Sequence, residues 1–297
     1  MIAQVVASSC GGTRTAGQGA TQMKRFSGGT FEASGVAYVP GTDAVLFVDD
    51  DRDDRVFWMR LDESGAQVGQ IESIKLGVSV IDLEGMTFDG TYFYVVGSQS
   101  KWQGGNLTGL VRFKLDPQTH QVETVESVAA LKPFLAQNVK ELRGMETTSY
   151  ESGGINIEGI AWDPVGKKLL LGLRSPIVDG QAVIVPLRFR DPAGALSAQN
   201  LEVDGEVIKL SFAGAGIRSI EYDERARAFR VITGAGPDAE KMDFKLWEWN
   251  GDRERPSLRE LMIYHRGLKP EGITRVSMPN RNFGFIVFDT SRYVIAD

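Results

Sequence analysis

The chain has 297 residues, 33 Lys plus Arg, 39 Asp plus Glu and a net charge of −6. That acidic balance lacks the basic face a nucleic-acid surface needs, and no apolar run is long enough for a membrane-crossing helix. One cysteine, Cys10, rules out an intrachain disulfide and any multi-cysteine zinc site, and two histidines leave little room for histidine-based chemistry.

Residues 1–30 are rich in Gly, Ser, Thr and Gln and show no periodicity. They read as a flexible tail, with a strand near 23–31 able to close the fold that follows in 31–297. Small residues precede Cys10, as at a lipoprotein cleavage site, but no basic region or adequate apolar segment comes before them. A signal cut short would make the protein periplasmic or lipid-anchored; without one it stays cytoplasmic.

Five segments share one pattern in chain order. They are Ser34-Gly35-Val36-Ala37-Tyr38, Glu84-Gly85-Met86-Thr87-Phe88, Glu158-Gly159-Ile160-Ala161-Trp162, Arg218-Ser219-Ile220-Glu221-Tyr222 and Glu271-Gly272-Ile273-Thr274-Arg275. A turn and a β-rich run follow each, as in Val45-Leu46-Phe47-Val48 and Phe285-Ile286-Val287-Phe288. Further apolar runs and outer candidates, including 67–76, 121–128, 201–212 and 258–264, bring each repeat to four short strands. Four strands per repeat is the mark of a β-propeller blade. The expectation is an all-β propeller of about five blades, with six atypical blades or a β-sandwich as alternatives. Residues 129–143 break the pattern, because Leu131, Phe134, Leu135, Val139 and Leu142 recur at helical spacing. They predict a short helix between blades two and three.

In a propeller the start of the innermost strand and the end of the second share one mouth of the channel. Ser34, Glu84, Glu158, Arg218 and Glu271 occupy the first set. Asp49, Asp50, Ser98, Arg174, Thr233 and Asp289 occupy the second. Longer loops at 51–54, 99–107, 175–181 and 234–242 open on the same face, where binding usually resides. Glu84, Glu158 and Glu271 converging there need a cation, a shared proton or arginines to offset them. One reading is a metal site for Ca²⁺ or Mg²⁺, with Arg174 and Arg218 gripping an anionic substrate. The other is a ring of Glu–Arg pairs between blades. The run 49–54 lacks the glycine and the final glutamate of an EF-hand loop. No nucleotide fingerprint, nucleophile elbow or P-loop is present, so no nucleotide cofactor is expected. His120 and His265 fall away from the mouth, and Trp102 is the tryptophan that a mouth loop carries.

Seven ordered motifs carry a resemblance. They are Glu32-Ala33-Ser34-Gly35, Asp82-Leu83-Glu84-Gly85, Gly97-Ser98-Gln99-Ser100, Asn156-Ile157-Glu158-Gly159, Leu171-Gly172-Leu173-Arg174-Ser175-Pro176, Gly216-Ile217-Arg218-Ser219 and Pro270-Glu271-Gly272. Over residues 32–290 the chain resembles the bacterial domain-of-unknown-function family thirty-six sixteen and, more distantly, the esterase-like phytase and SdiA-regulated propellers. The resemblance implies a propeller and no known activity. Gln99 stands where the motif leads one to expect histidine. Two functions compete for the mouth. One is a hydrolase, in which a metal on Glu84, Glu158 and Glu271 activates water and Glu158, Arg174 and Arg218 do the chemistry. Its substrate would be an anionic ester, phosphoester or lactone. The other is a non-catalytic, monomeric module whose ligand, a small molecule, glycan or protein, meets Ser34, Asp49, Asp50, Ser98, Gln99 and Asp289.

Overall fold

The computed structural model describes residues 23–100, 108–236 and 242–296. Most of the expected tail, with Cys10, lies outside them, as do Trp102 and parts of the loops 99–107 and 234–242.

Five antiparallel sheets form the blades of a propeller. Blade 1 runs outward through Ala33–Val39, Ala44–Asp49, Arg55–Leu61 and Gln67–Lys75. Blade 2 comprises Leu83–Phe88, Phe93–Gly97, Thr108–Leu115 and Val122–Ala129. Blade 3 has Asn156–Asp163, Lys168–Ser175 and Ala182–Phe189, and its outer edge is shared by two short strands, Leu201–Val203 and Ile208–Leu210. The single outer run expected at 201–212 is thus interrupted, where Asp204 and Gly205 turn the chain. Blade 4 has Gly216–Asp223, Ala228–Gly234, Phe244–Trp249 and Leu258–Tyr264. Blade 5 has Pro270–Met278, Arg281–Phe288 and Arg292–Ala296, and its fourth strand is Lys24–Arg25 from the other end of the chain. A helix, α1, spans Leu131–Asn138 between blades 2 and 3.

Strand alternation explains how flat blades make a radial core. Successive side chains of a strand point to opposite faces of its sheet. In the second strand of blade 1, Val45 and Phe47 face blade 5, while Leu46 and Val48 face blade 2. Every junction repeats this. Leu171 and Val185 meet Tyr94 and Val96 between blades 2 and 3, where α1 adds Leu131 and Leu135. Leu170 and Ile184 meet Val231 and Trp249 between blades 3 and 4. Ile232 and Leu246 meet Ile286 and Phe288 between blades 4 and 5.

The junction of blades 5 and 1 closes the ring with the richest aromatic packing. Phe26, just after the closing strand, stacks on Phe47 at 5.1 Å between centroids and lies 5.4 Å from Tyr293. Phe31 meets Phe47 edge-on at 5.3 Å. The Gln67 amide donates to the Tyr293 hydroxyl at 2.9 Å, and the Phe31 amide donates to Ser291 Oγ at 3.0 Å. Phe26 is 7% exposed. Phe26→Ala should therefore open a cavity at the seam and cost about 3 kcal/mol in denaturant unfolding. Val165→Ala, at an exposed turn, should leave the midpoint unchanged.

Candidate functional site

A β-bulge builds the ring of polar residues at the channel mouth. Where the inner strand pairs with the second strand, the register skips in every blade, between Ala33 and Val36, Leu83 and Gly85, Ile157 and Gly159, Ile217 and Ser219, and Pro270 and Gly272. Glu84, Glu158, Arg218 and Glu271 are the residues inside four of those skips, and Ser34 lies with Gly35 inside that of blade 1. A bulged residue leaves the ladder and its side chain is re-aimed, so five equivalent side chains turn to one mouth. In every blade but the fourth, where Ser219 stands, a glycine follows the bulge residue and lets neighbouring inner strands meet. A Cβ on Gly272 would sit 2.2 Å from the Ser34 carbonyl oxygen, and one on Gly35 would sit 2.5 Å from the Met86 nitrogen.

Charge then organises the ring. Arg218 grips Glu271 in a two-pronged contact: Nε donates to Oε2 at 2.7 Å and Nη2 donates to Oε1. Its Nη1 lies 2.7 Å from Glu158 Oε2, a charge contact out of line for a good hydrogen bond. Glu158 Oε1 accepts from Arg174 Nη1 at 2.9 Å and from Asn156 Nδ2 at 3.2 Å. Arg174 Nε donates to the Ala235 carbonyl at 3.1 Å, and its guanidinium lies 4.7 Å from the centre of the Tyr150 ring. Among the described residues Arg174 Nη2 carries no partner. The Glu158 side chain is 1% exposed and that of Arg174 26%. The pairing of Arg174 with Glu158 of its own blade follows from the adjacency of the two strand ends.

Glu84 stands apart. It is half-buried, reached by solvent along the channel but surrounded by protein, and among the described residues it has no hydrogen bond or ion pair. Burial, and next the charge of Glu158, push its carboxyl well above the usual range against the pull of Arg218. Burial also raises Glu271, to about 7, although Arg218 draws it down. For Arg218 burial disfavours the charge, but Glu158 and Glu271 outweigh it and hold the guanidinium above its ordinary value. We read the Arg218–Glu271 contact as an ion pair, because two-pronged geometry rewards the charged forms. The proton that three converging acids demand then resides on Glu84, which has no cation of its own.

The second strand ends form a rim around this ring. Asp49 is buried, and its Oδ1 accepts from the Asp51 amide at 3.0 Å. Asp50, Asp51 and Glu32 bring carboxylate oxygens within 4.8 Å of one another. Among the described residues this is the one cluster of three or more potential metal ligands, and it leaves out Glu84, Glu158 and Glu271. Burial, then Glu32 and Asp289, push Asp50 up to about 7, and its Oδ1 is buried with no hydrogen-bond partner. Asp289 is engaged by Lys269. Ser34 Oγ lies 3.4 Å from the Glu32 carbonyl. Ser98 forms a separate knot in which its hydroxyl and that of Ser100 both donate to Asp82, and Gln99 beside it is buried with a left-handed backbone, φ 59°. Thr233 accepts from Trp247 Nε1 at 2.9 Å. His120 stacks on Trp58 at 4.1 Å and meets Glu72, and His265 caps a short 3₁₀ turn.

Three participants lay outside the sequence reading, Asn156, Tyr150 and Glu32, while Asp51, read as part of the acidic loop 51–54, joins the rim. Asn156 and Glu32 sit inside quoted motifs, two residues before the bulge residue, and that shared offset was the available signal. Tyr150 comes from a 3₁₀ turn after α1 and had none.

Two outcomes follow. Glu158→Gln should cost about 3 kcal/mol in denaturant unfolding, because it strips a buried carboxylate from two guanidinium groups. Glu84→Gln should act oppositely and with pH. Below the unfolded value of 4.5 both states hold the Glu84 proton, so it adds no pH dependence; above it the unfolded chain ionises first, and stability falls as pH rises toward the folded pKa. The variant should match the parent near about pH 4 and exceed it increasingly toward about pH 8 in denaturant titrations.

A family model described as a protein of unknown function, DUF3616, matches residues 113–281, more than half of the chain. No curated protein matches. Among solved structures, the chain is similar to a glucose dehydrogenase at 11% identity and TM-score 0.49, covering 93% of this chain and 99% of that one. It is similar to the holo form of the pyranose dehydrogenase PQQ domain from Coprinopsis cinerea at 10% identity and TM-score 0.49, covering 95% and 98%. It is also similar to the Cps50 (Swd1) β-propeller domain of Myceliophteria thermophila at 13% identity and TM-score 0.44, covering 92% and 99%. The family resembled by the seven motifs is the one whose model matches, and this β-propeller belongs to the DUF3616 family.

Proposed function

We propose that the bulge-lined mouth binds a small anionic ester, phosphoester or lactone and hydrolyses it. The observation that carries this reading is the contrast between Glu84 and Glu158. They occupy equivalent bulges of neighbouring blades, yet Glu158 is held between two guanidinium groups while Glu84 has none and is driven to keep its proton. Different surroundings give one residue type two roles, a proton donor where no cation is near and a clamp on guanidinium groups where two are. Glu84 is the general acid toward the leaving oxygen. Arg174, with Nη2 open and a quarter of its side chain exposed, meets the substrate's negative charge. Arg218 has all three nitrogens committed to carboxylates and positions Glu158 and Glu271.

The cation belongs at the rim in this reading. Glu32, Asp50 and Asp51 offer oxygen ligands suited to Ca²⁺ or Mg²⁺, and the buried, unpartnered Asp50 Oδ1 gains most from one. Glu158 and Glu271 already spend their charge on arginines. A bound cation there would polarise water for attack. Addition of millimolar Ca²⁺ or Mg²⁺ should raise the melting temperature, because the cation binds the folded chain. Asp50→Asn should abolish the rise, while Asp43→Asn, on an inner-to-second-strand turn at the opposite mouth, should keep it. Identical melting curves with cation and with chelator would remove the cation from the proposal.

The non-catalytic reading has two observations behind it: no histidine reaches the mouth among the described residues, and Arg218 is saturated. The assay that separates the two offers monomethyl succinate, phenyl phosphate and a carboxylate-bearing γ-butyrolactone with and without divalent cation. Hydrolysis that Glu84→Gln lowers by about 100-fold or more, in a protein of unchanged fold, supports catalysis. Saturable binding of these compounds without turnover supports the binding module.

A further inference from the structure

The opposite mouth of the channel holds a cavity of 790 Å³ that the site above does not use. All five inner strands reach it. Four residues past the bulge residue, or in blade 1 past Ser34, each strand carries a large side chain: Tyr38, Phe88, Trp162, Tyr222 and, in blade 5, Arg275. Four blades thus supply an aromatic wall and the fifth supplies a guanidinium.

The floor is already satisfied. Thr87 Oγ accepts from the Trp162 amide at 3.0 Å, and Thr274 Oγ accepts from the Tyr38 amide at 3.1 Å. Glu221 accepts from the Thr274 hydroxyl at 2.9 Å. These bonds stitch the inner strands of blades 2 and 3, 4 and 5, and 5 and 1 to one another. Arg275 differs. Its Nε is buried with no hydrogen-bond partner, and among the described residues no carboxylate pairs with its guanidinium. A buried guanidinium nitrogen left unmade is costly, and a carboxylate gripped by the outer end of this half-buried side chain would offset its charge.

The other charged groups here do not cancel that cation. Asp89 is occupied at both oxygens, by the Thr91 and Tyr92 amides and the Tyr94 hydroxyl. Glu221 is pushed well above the usual carboxylate range by burial, so it resists ionising. Glu224 and Arg225 are exposed at the rim and oppose each other in charge. A cavity of this size, with aromatic side chains set among polar and charged lining groups, has the form of a small-molecule site.

We propose that this second mouth binds a small aromatic carboxylate, its ring against Trp162, Phe88 and Tyr222 and its carboxylate on Arg275. Benzoate and benzyl alcohol are the probes, since they share a ring and differ in the charged group. Binding is measured by calorimetric titration and by ligand-observed NMR on the whole chain. Benzoate should bind saturably at millimolar concentration or below, and benzyl alcohol about tenfold more weakly. Arg275→Gln should weaken benzoate by about tenfold, and Arg275→Lys should recover part of it, because the charge returns without the fork. Trp162→Ala should weaken both probes, with circular dichroism and melting temperature checking the fold. Glu84→Gln, at the far mouth, should change neither. The proposal is overturned by absence of saturable benzoate binding, by equal affinity in Arg275→Gln, by equal affinity for glucuronate, or by loss of binding in Glu84→Gln. The last outcome would assign the probe to the first mouth, so this site and the hydrolytic reading fail by different results.

Discussion

A β-bulge at the head of each inner strand is the constraint on which the channel mouth depends. Without it, side chains at these positions would alternate between the blade faces and be buried in the junctions, as their neighbours are. Five bulges in register lift five side chains out of that alternation. The cost is a locally broken ladder. The Ser98 carbonyl offsets part of it across blades by accepting from the Ile157 amide at 2.8 Å. The glycines that follow are part of the same device, because inner strands this close leave no volume for a Cβ at Gly35 or Gly272. Ring chemistry and ring packing are therefore set by one local irregularity repeated five times.

What the bulges gather is an excess of acid. Three glutamates face one arginine of the ring, with Arg174 reaching in from a second strand. Arg218 lies between Glu158 and Glu271 and takes both, so blades 3, 4 and 5 are joined through a single guanidinium. Blade 2 is left with Glu84 and no counter-charge, and blade 1 has the neutral Ser34. The asymmetry matters more than the count. A symmetric ring of glutamates would share its protons evenly, whereas here the arginine distribution selects which carboxyl stays neutral. Removal of Arg218 charge would thus reach Glu84 although the two share no hydrogen bond.

Much of this was legible in the residues. The recurring Glu-Gly or Ser-Gly before an apolar run marked the inner strands, and propeller topology alone placed strand starts and second-strand ends at one mouth. Spacing in 129–143 revealed the helix, which is shorter, because Val139 leaves helical geometry and a 3₁₀ turn over Lys140–Leu142 follows. Pair choice was less legible. Linear sequence orders Glu84, Glu158, Arg218 and Glu271, but not which carboxylate an arginine in the middle will grip with two prongs and which with one. That depends on side-chain reach across a narrow channel. The acidic rim was half legible: Asp49 and Asp50 follow from strand ends, while Glu32 and Asp51 join them through loop geometry that no period encodes.

The fourth repeat position shows how one scaffold supports two unlike mouths. Ala37, Thr87, Ala161, Glu221 and Thr274 occupy it, and the three with polar tips all use them on the next blade's inner strand. Thr87 and Glu221 take backbone amides or hydroxyls there, and Thr274 does so across the ring closure from blade 5 to blade 1. This belt lies between the bulges and the aromatic wall. Above it, side chains are charged and compete for protons; below it, aromatic side chains stand beside the Arg275 guanidinium, which no carboxylate of the described residues pairs. The polar groups of this belt are matched with one another, so neither mouth draws on them for its own contacts. The two mouths can accordingly carry different ligands without sharing residues, and selection on one leaves the inner strands that hold the other intact.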